Sequence, residues 1–243
     1  AKRLTNTGIP LKVVTSNNKN DEKLVKVLIK NRIDYYRGPK RNVLRRMVDS
    51  LKHFNDNLIV VRATADNIIP DGNLIEEMMK EMQKRKVSYL DCDPIKSGLP
   101  YGLGVELIRL KELRKRAKNT YSVYEKEHVT PVIKKIYSGN KYVFSKYSFL
   151  SLSFLRCTVD YKEDFVQIKK LFNKLNDPIN SSWKQICNLI LFKNTVNKNL
   201  SKFILGGAQF GLNYGLNNKK INYKNILRII DKASKFGIKI IDT

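Results

Sequence analysis

Disulfides, zinc fingers and membrane spans are argued against by what this chain holds little of. Its three cysteines, Cys92, Cys157 and Cys187, are odd in number, far apart and without any CxxC pairing. That pattern fits neither a disulfide framework nor a zinc site, and a reducing cytoplasm is the expected setting. No stretch approaches the roughly 18 apolar residues a membrane-spanning helix needs. No secretory segment is visible, although the chain opens on Ala1 rather than on Met. With 42% hydrophobic residues and a mean hydropathy of -0.39, the 243 residues can bury a sizeable core.

Acidic residues are also scarce. Against 22 Asp and Glu stand 47 Lys and Arg, a net charge of +25. Such an excess suggests nucleic acid on its face. It is spread over the whole length, however, without zinc-finger spacing, an aromatic RNA-binding strand or a separate basic arm. We therefore expect no specific nucleic-acid partner, only weak, salt-sensitive attraction, and a charge that suits a polyanionic small substrate.

What is present reads as alternating strands and helices, hence an α/β fold with a largely parallel sheet. Leu11 to Thr15 is an expected strand. Asn20 is placed to cap a helix with Leu24, Val27 and Leu28 inward. Val43, Met47 and Leu51 space a second helix, and Leu58 to Arg62 reads as a strand. Asp71 caps a third helix with Leu74, Ile75, Met78, Met79 and Met82 inward. Thr130 and Pro131 form a cap and first turn, and Phe165, Ile168, Phe172 and Leu175 an inward stripe. Composition shifts after Pro178, where residues 178–200 read as a linker with a short amphipathic helix. A strand from Lys202, a helix capped by Asn222 with Ile226, Ile229, Ile230, Ala233 and Phe236 inward, and a strand over Ile238 to Thr243 follow.

Two carboxylates stand at strand-to-helix junctions. Asp66 follows the apolar run Leu58 to Val61, and Asp160 lies in Leu155-Arg-Cys-Thr-Val-Asp-Tyr-Lys-Glu-Asp164. Ligands of open α/β sheets bind beyond the carboxyl ends of strands, and two such carboxylates can share one hard cation. The competing reading is a helix cap, for which Asp71 is better placed than Asp66, while Asp160 can cap from Lys162. Arg62 and Arg156 can meet phosphate or an acidic sugar, or pair with a neighbouring carboxylate.

Four stretches in order, Arg62-Ala-Thr-Ala-Asp-Asn-Ile-Ile-Pro-Asp71, Pro100-Tyr-Gly-Leu-Gly-Val-Glu-Leu107, Tyr124-Glu-Lys-Glu-His-Val-Thr-Pro131 and Leu155 to Phe165, resemble the spore-coat polysaccharide biosynthesis type of cytidylyltransferase, over about residues 1–176. The resemblance implies a Rossmann-like nucleotidyltransferase sheet with its first strand missing. It also implies transfer of CMP from CTP to a sugar with release of pyrophosphate. By it Asp66 and Asp160 would hold Mg2+, and Glu106, Glu127 and His128 would line the sugar side, with His128 open to either a proton-shuttling or a structural role. Two departures stand out. Gly104 occupies a place where the family usually has aspartate, and the loop that cradles the triphosphate has no counterpart after Ala1. Residues 201–243 resemble the opening β-α-β unit of an aldo-keto reductase TIM barrel. Leu205-Gly-Gly-Ala-Gln-Phe-Gly-Leu212 would be its first strand, Asp242 its catalytic aspartate and NADPH its cofactor. The expected division is thus 1–177, a linker 178–200, and 201–243. The alternatives are a parent protein whose main activity is carbonyl reduction, or a degenerate module that binds nucleotide sugars without turning them over. Residues 1–243 alone are expected to be inactive, and a homodimer is the assembly to test for.

Overall fold

Strand β1 (Val13–Ser16) pairs in parallel with β2 (Tyr35–Gly38), Ser16 opposite Gly38. Between them runs helix α1 (Glu22–Lys30). Its entry is capped by Asn18, which accepts from the Asn20 amide and opens one 3-10 turn at Lys19–Asp21. Asn20 is therefore inside the turn rather than its cap. The buried face of α1 is Val25 and Leu28, while Leu24 and Val27 are exposed. This one-residue rotation is set by packing on the sheet, not by the helix's own periodicity. Asp21 accepts from the Ser16 hydroxyl, the Thr15 hydroxyl and the Ser16 amide. These bonds hold its carboxyl down at about 2.

Helix α2 (Val43–Ser50) is capped by Asn42 and buries Leu44. Strand β3 (Ile59–Arg62) leads to helix α3 (Gly72–Lys84). Asp71 caps α3, accepting from the Leu74 amide at 2.9 Å. Leu74, Ile75, Met78 and Met82 are buried as the spacing predicts, each such side chain contributing roughly 1.5–3 kcal/mol, while Met79, also expected inward, is half-buried. Strands β4 (Tyr89–Asp91) and β5 (Glu106–Arg109) complete a three-stranded sheet of order β3-β5-β4. Both neighbours run antiparallel to β5. The expectation of a largely parallel sheet is corrected here: among the described residues only β1-β2 and β6-β7 are parallel. Strand β5 feeds directly into helix α4 (Leu110–Asn119), followed by α5 (Val123–His128) and α6 (Pro131–Ile136). Leu44 from α2, Leu110 and Leu113 from α4 and Ile133 from α6 close around Tyr89 and Ile108 in one core. Helix α7 (Lys162–Phe172) buries Leu171. The expected Phe165 is 55% exposed, because the helix presents a different edge to the core.

The computed structural model describes residues 1–92, 97–120, 122–140, 152, 157–195, 204–207, 210, 221–235, 238 and 240–242. They fall into two units, Ala1–Trp183 and Lys184–Thr243. Helix α8 (Trp183–Thr195) starts at that boundary with Trp183, Ile186 and Cys187 buried. In the second unit β6 (Ile204–Gly206) and β7 (Ile240–Asp242) pair in parallel around α9 (Tyr223–Lys235), a β-α-β arrangement. Asn222 caps α9 as expected, through the Asn225 amide. Ile226, Ile229, Ile230 and Ala233 are half-buried, and Phe236 lies outside the described residues. Ile204 and Ile240 are exposed.

One fastening gives no local signal in the sequence. Arg3 is buried. It donates to the Ile69 carbonyl at 2.8 Å, to Pro178 at 2.6 Å and to Ser181 at 2.7 Å, and lies 3.5 Å from Asp71. It therefore ties the N-terminal turn, the entry of α3 and the stretch before α8 together. Replacing Arg3 by alanine strands these carbonyls, so we expect a loss of about 2–3 kcal/mol. Urea unfolding checks it, and a midpoint equal to wild type would show the three segments hold without it.

Candidate functional site

The carboxyl ends of β3 and β4 meet the start of β5 at one row of residues. Arg62 is opposite Glu106 on one side and Asp91 is opposite Glu106 on the other. Opposed residues point to the same face, so three charged side chains from three strands converge there. A cavity of about 330 Å³ opens above this row. Its lining includes Arg62, Asp66, Asp91, Glu106, Lys134 and Thr158.

Glu106 organises the row. It is buried, and its Oε2 lies 2.6 Å from Arg62 Nη1, its Oε1 2.9 Å from Lys134 Nζ. The Thr130 hydroxyl donates to it at 3.0 Å, and the Tyr89 hydroxyl lies between it at 3.0 Å and Asp91 at 2.8 Å. Burial pushes its pKa up, but Arg62 and Lys134 outweigh burial and hold it below the ordinary carboxylate range. Burial likewise works against the charge of Lys134, and Glu106 more than offsets it, so the ammonium titrates above its ordinary value. Burial, with Glu106 and Asp91 beside it, raises Tyr89 far out of reach of titration. Thr130 was expected as a cap of α6. It makes no side-chain cap bond, because its hydroxyl is committed to Glu106.

Asp66 sits in the turn after β3, half-buried. Among the described residues its carboxylate has no hydrogen bond or ion pair, while its carbonyl accepts from the Val159 amide at 3.1 Å. Together with the bridge between Asn67 and Thr158, this brings the Asp66 and Asp160 segments side by side. Asp160 is exposed and not part of the lining. Its carboxylate accepts from the Thr158 hydroxyl at 2.8 Å. The reading of Asp160 as a cap is corrected: Asp164 reaches back to the Asp160 and Tyr161 amides instead. No group of three His, Cys, Asp or Glu side chains able to hold a metal occurs among the described residues. A cation at Asp66 would draw its remaining ligands from phosphate oxygens and water, as Mg2+ commonly does.

Gly102 fixes the opposite wall. Its φ is +93°, and a Cβ there would sit 2.7 Å from Thr158 Cγ2, so this position requires glycine. At Gly104, where the resembled family has aspartate, a Cβ would lie 3.3 Å from the Cys92 carbonyl. An aspartate would enter only with a small shift of β4's end. Cys92 and Cys157 are buried thiols, pushed up to about 12 by burial, and so offer no thiolate nucleophile.

Of the expected sugar-side residues, Glu127 and His128 lie on the exposed side of α5, outside the cavity lining, where the His128 and Tyr124 rings meet at a 49° tilt with centroids 4.4 Å apart. The buried acid of that helix is Glu125, clasped by Arg116 at 2.6 and 3.0 Å. Arg156 lies outside the described residues. Asp242 is exposed on β7, its carbonyl accepting from the Gly207 amide. Sequence reasoning missed Lys134. Its only signal was a lysine one helical turn after the Thr130-Pro131 pair.

No family model matches the chain. An uncharacterized protein of Methanocaldococcus jannaschii is 27% identical over 172 residues, which span 68% of this chain and 67% of that protein. The solved structure of a cytidylyltransferase from Leptospira borgpetersenii serovar Hardjo-bovis superposes with a TM-score of 0.66 at 21% identity. The match covers 75% of this chain and 76% of that one. The chain thus has a mixed α/β fold, shared over that part with this cytidylyltransferase, which fits a Rossmann-like architecture. No described helix is long and apolar enough to cross a membrane.

Proposed function

We propose that residues 1–177 form a cytoplasmic nucleotidyltransferase domain that moves CMP from CTP to a sugar, with release of pyrophosphate, for a cell-surface polysaccharide or glycoconjugate. The observation that carries this reading is the Asp66 carboxylate, unpaired among the described residues and sharing a cavity at the ends of β3 and β4 with Arg62 and Lys134. The nucleotidyltransferase fold supports it. Asp66 would hold Mg2+ with phosphate oxygens and water, and Asp160, exposed on the adjoining segment, would join it only by turning toward the cavity. When bound, that ion neutralises charge on the phosphate oxygens during displacement. Arg62 and Lys134 supply fixed positive charge beside it, and Glu106 keeps both in place. Arg156, Glu127 and His128 remain candidates for contacts with the sugar. Pyrophosphate release from CTP, measured with a panel of neutral, amino and acidic sugars and magnesium, tests the proposal. No release with any sugar by the full-length protein would end it.

The β6-α9-β7 unit, with Asp242 at the end of its second strand, favours a second activity in the same polypeptide. Residues 201–243, after the segment 178–200, would open an aldo-keto reductase barrel using NADPH. Sugar-dependent oxidation of NADPH by the full-length protein, lost on Asp242→Asn, is the expected result.

A further inference from the structure

Glu106 is largely taken up by its neighbours, with the Tyr89 hydroxyl shared with Asp91. A carboxylate offers about four acceptor positions, and Arg62, Lys134, Tyr89 and Thr130 approach its two oxygens between 2.6 and 3.2 Å. It acts through the groups it holds. Two of these are cations that line the cavity, and one carboxylate neutralises only one of them. The trio itself carries one positive charge, with the Asp66 and Asp91 carboxylates also in the cavity lining. Arg62 is the more enclosed, with 20% of its side chain exposed, against 48% for Lys134. Among the described residues Lys134 pairs only with Glu106. Its ammonium has three donors, so two are left to face the cavity. The proton stays on, because Glu106 raises its affinity.

We propose that Lys134 binds an anionic group of the substrate in this cavity, with Glu106 as its positioning residue. The inference rests on the nucleotidyltransferase reading and assigns the group that receives the substrate's negative oxygens. Those oxygens belong either to a phosphate chain or to the carboxylate of an acidic sugar, and both present the same chemistry to an ammonium.

The test uses the full chain with inorganic pyrophosphate and glucuronate as anionic probes, and with cytidine and glucose as uncharged controls. Binding is followed calorimetrically in magnesium buffer. Lys134→Gln, which keeps one donor for Glu106, and Lys134→Ala should each weaken one anion by about tenfold, the worth of one charge-assisted contact. The salt dependence of that anion should become shallower. Lys134→Arg should recover most of the affinity, and the uncharged controls should not move. A loss confined to pyrophosphate identifies the phosphate chain, and a loss confined to glucuronate identifies the sugar carboxylate. Wild-type protein that binds neither anion overturns the proposal. So does a folded Lys134→Gln variant that binds both as wild type does. Lost CTP turnover with Lys134-dependent anion binding intact would sink the transferase reading alone. Intact turnover with Lys134-independent anion binding would sink this inference alone.

Discussion

Asp66→Ala should cut pyrophosphate release from CTP by on the order of a hundredfold or more in the full-length protein. A cation on a transferring phosphoryl group is worth several kcal/mol of transition-state stabilisation, and each 1.36 kcal/mol is tenfold in rate. Asp66 is the cavity-lining carboxylate without a hydrogen bond or ion pair among the described residues, so its removal strands no partner. The thermal midpoint should stay within a degree or two of wild type, roughly what a surface substitution costs. That separation of activity from stability is the diagnostic. Asp66→Asn should be nearly as slow, because an amide ligates a hard cation poorly. Turnover equal to wild type in a folded variant would reduce Asp66 to a turn residue and remove the metal from this side of the cavity.

The same region shows what sequence could and could not reveal. The entry of α3 was legible, because Asp71 precedes a run whose apolar residues recur at helical spacing, and the structure buries Leu74, Ile75, Met78 and Met82 accordingly. Asn222 was legible for the same local reason. The facing of α1 was not: Leu24, Val25, Val27 and Leu28 offer two overlapping apolar stripes, and only contact with the sheet selects Val25 and Leu28. Strand direction has no local signature either, so the antiparallel course of β5 escaped a reading built on alternating elements. Asp66 could be found because it ends an apolar run. Lys134 could not, since its place depends on Arg62, Asp91 and Glu106 meeting across three strands from distant parts of the chain. Thr130 illustrates the conflict directly. Its sequence context favours a helix cap, and a buried carboxylate takes the hydroxyl instead.

Glu106→Ala should be the most destabilising single change at the site, by about 3–5 kcal/mol, the usual cost of removing one partner from a buried ion pair. It leaves Arg62 and Lys134 side by side without their shared anion. It also leaves the buried Thr130 hydroxyl without its acceptor, while Tyr89 keeps Asp91 at 2.8 Å. Against total stabilities of about 5–15 kcal/mol, that is enough to endanger folding. The gentler Glu106→Gln keeps the shape, and its pH dependence carries the information. In the wild-type protein the folded pKa of Glu106 lies below its unfolded value. The unfolded state therefore binds more protons in the window between the two, and stability rises with pH there. The contribution is fully present above the unfolded value of about 4.3 and is lost as pH falls through the folded one. Urea midpoints measured from pH 6 down to pH 3 should fall more steeply for wild type than for Glu106→Gln, and the two curves should converge at the acid end. Parallel curves over that range would mean that Arg62 and Lys134 do not hold Glu106 ionised, and the Lys134 subsite proposed for the cavity would lose its anchor.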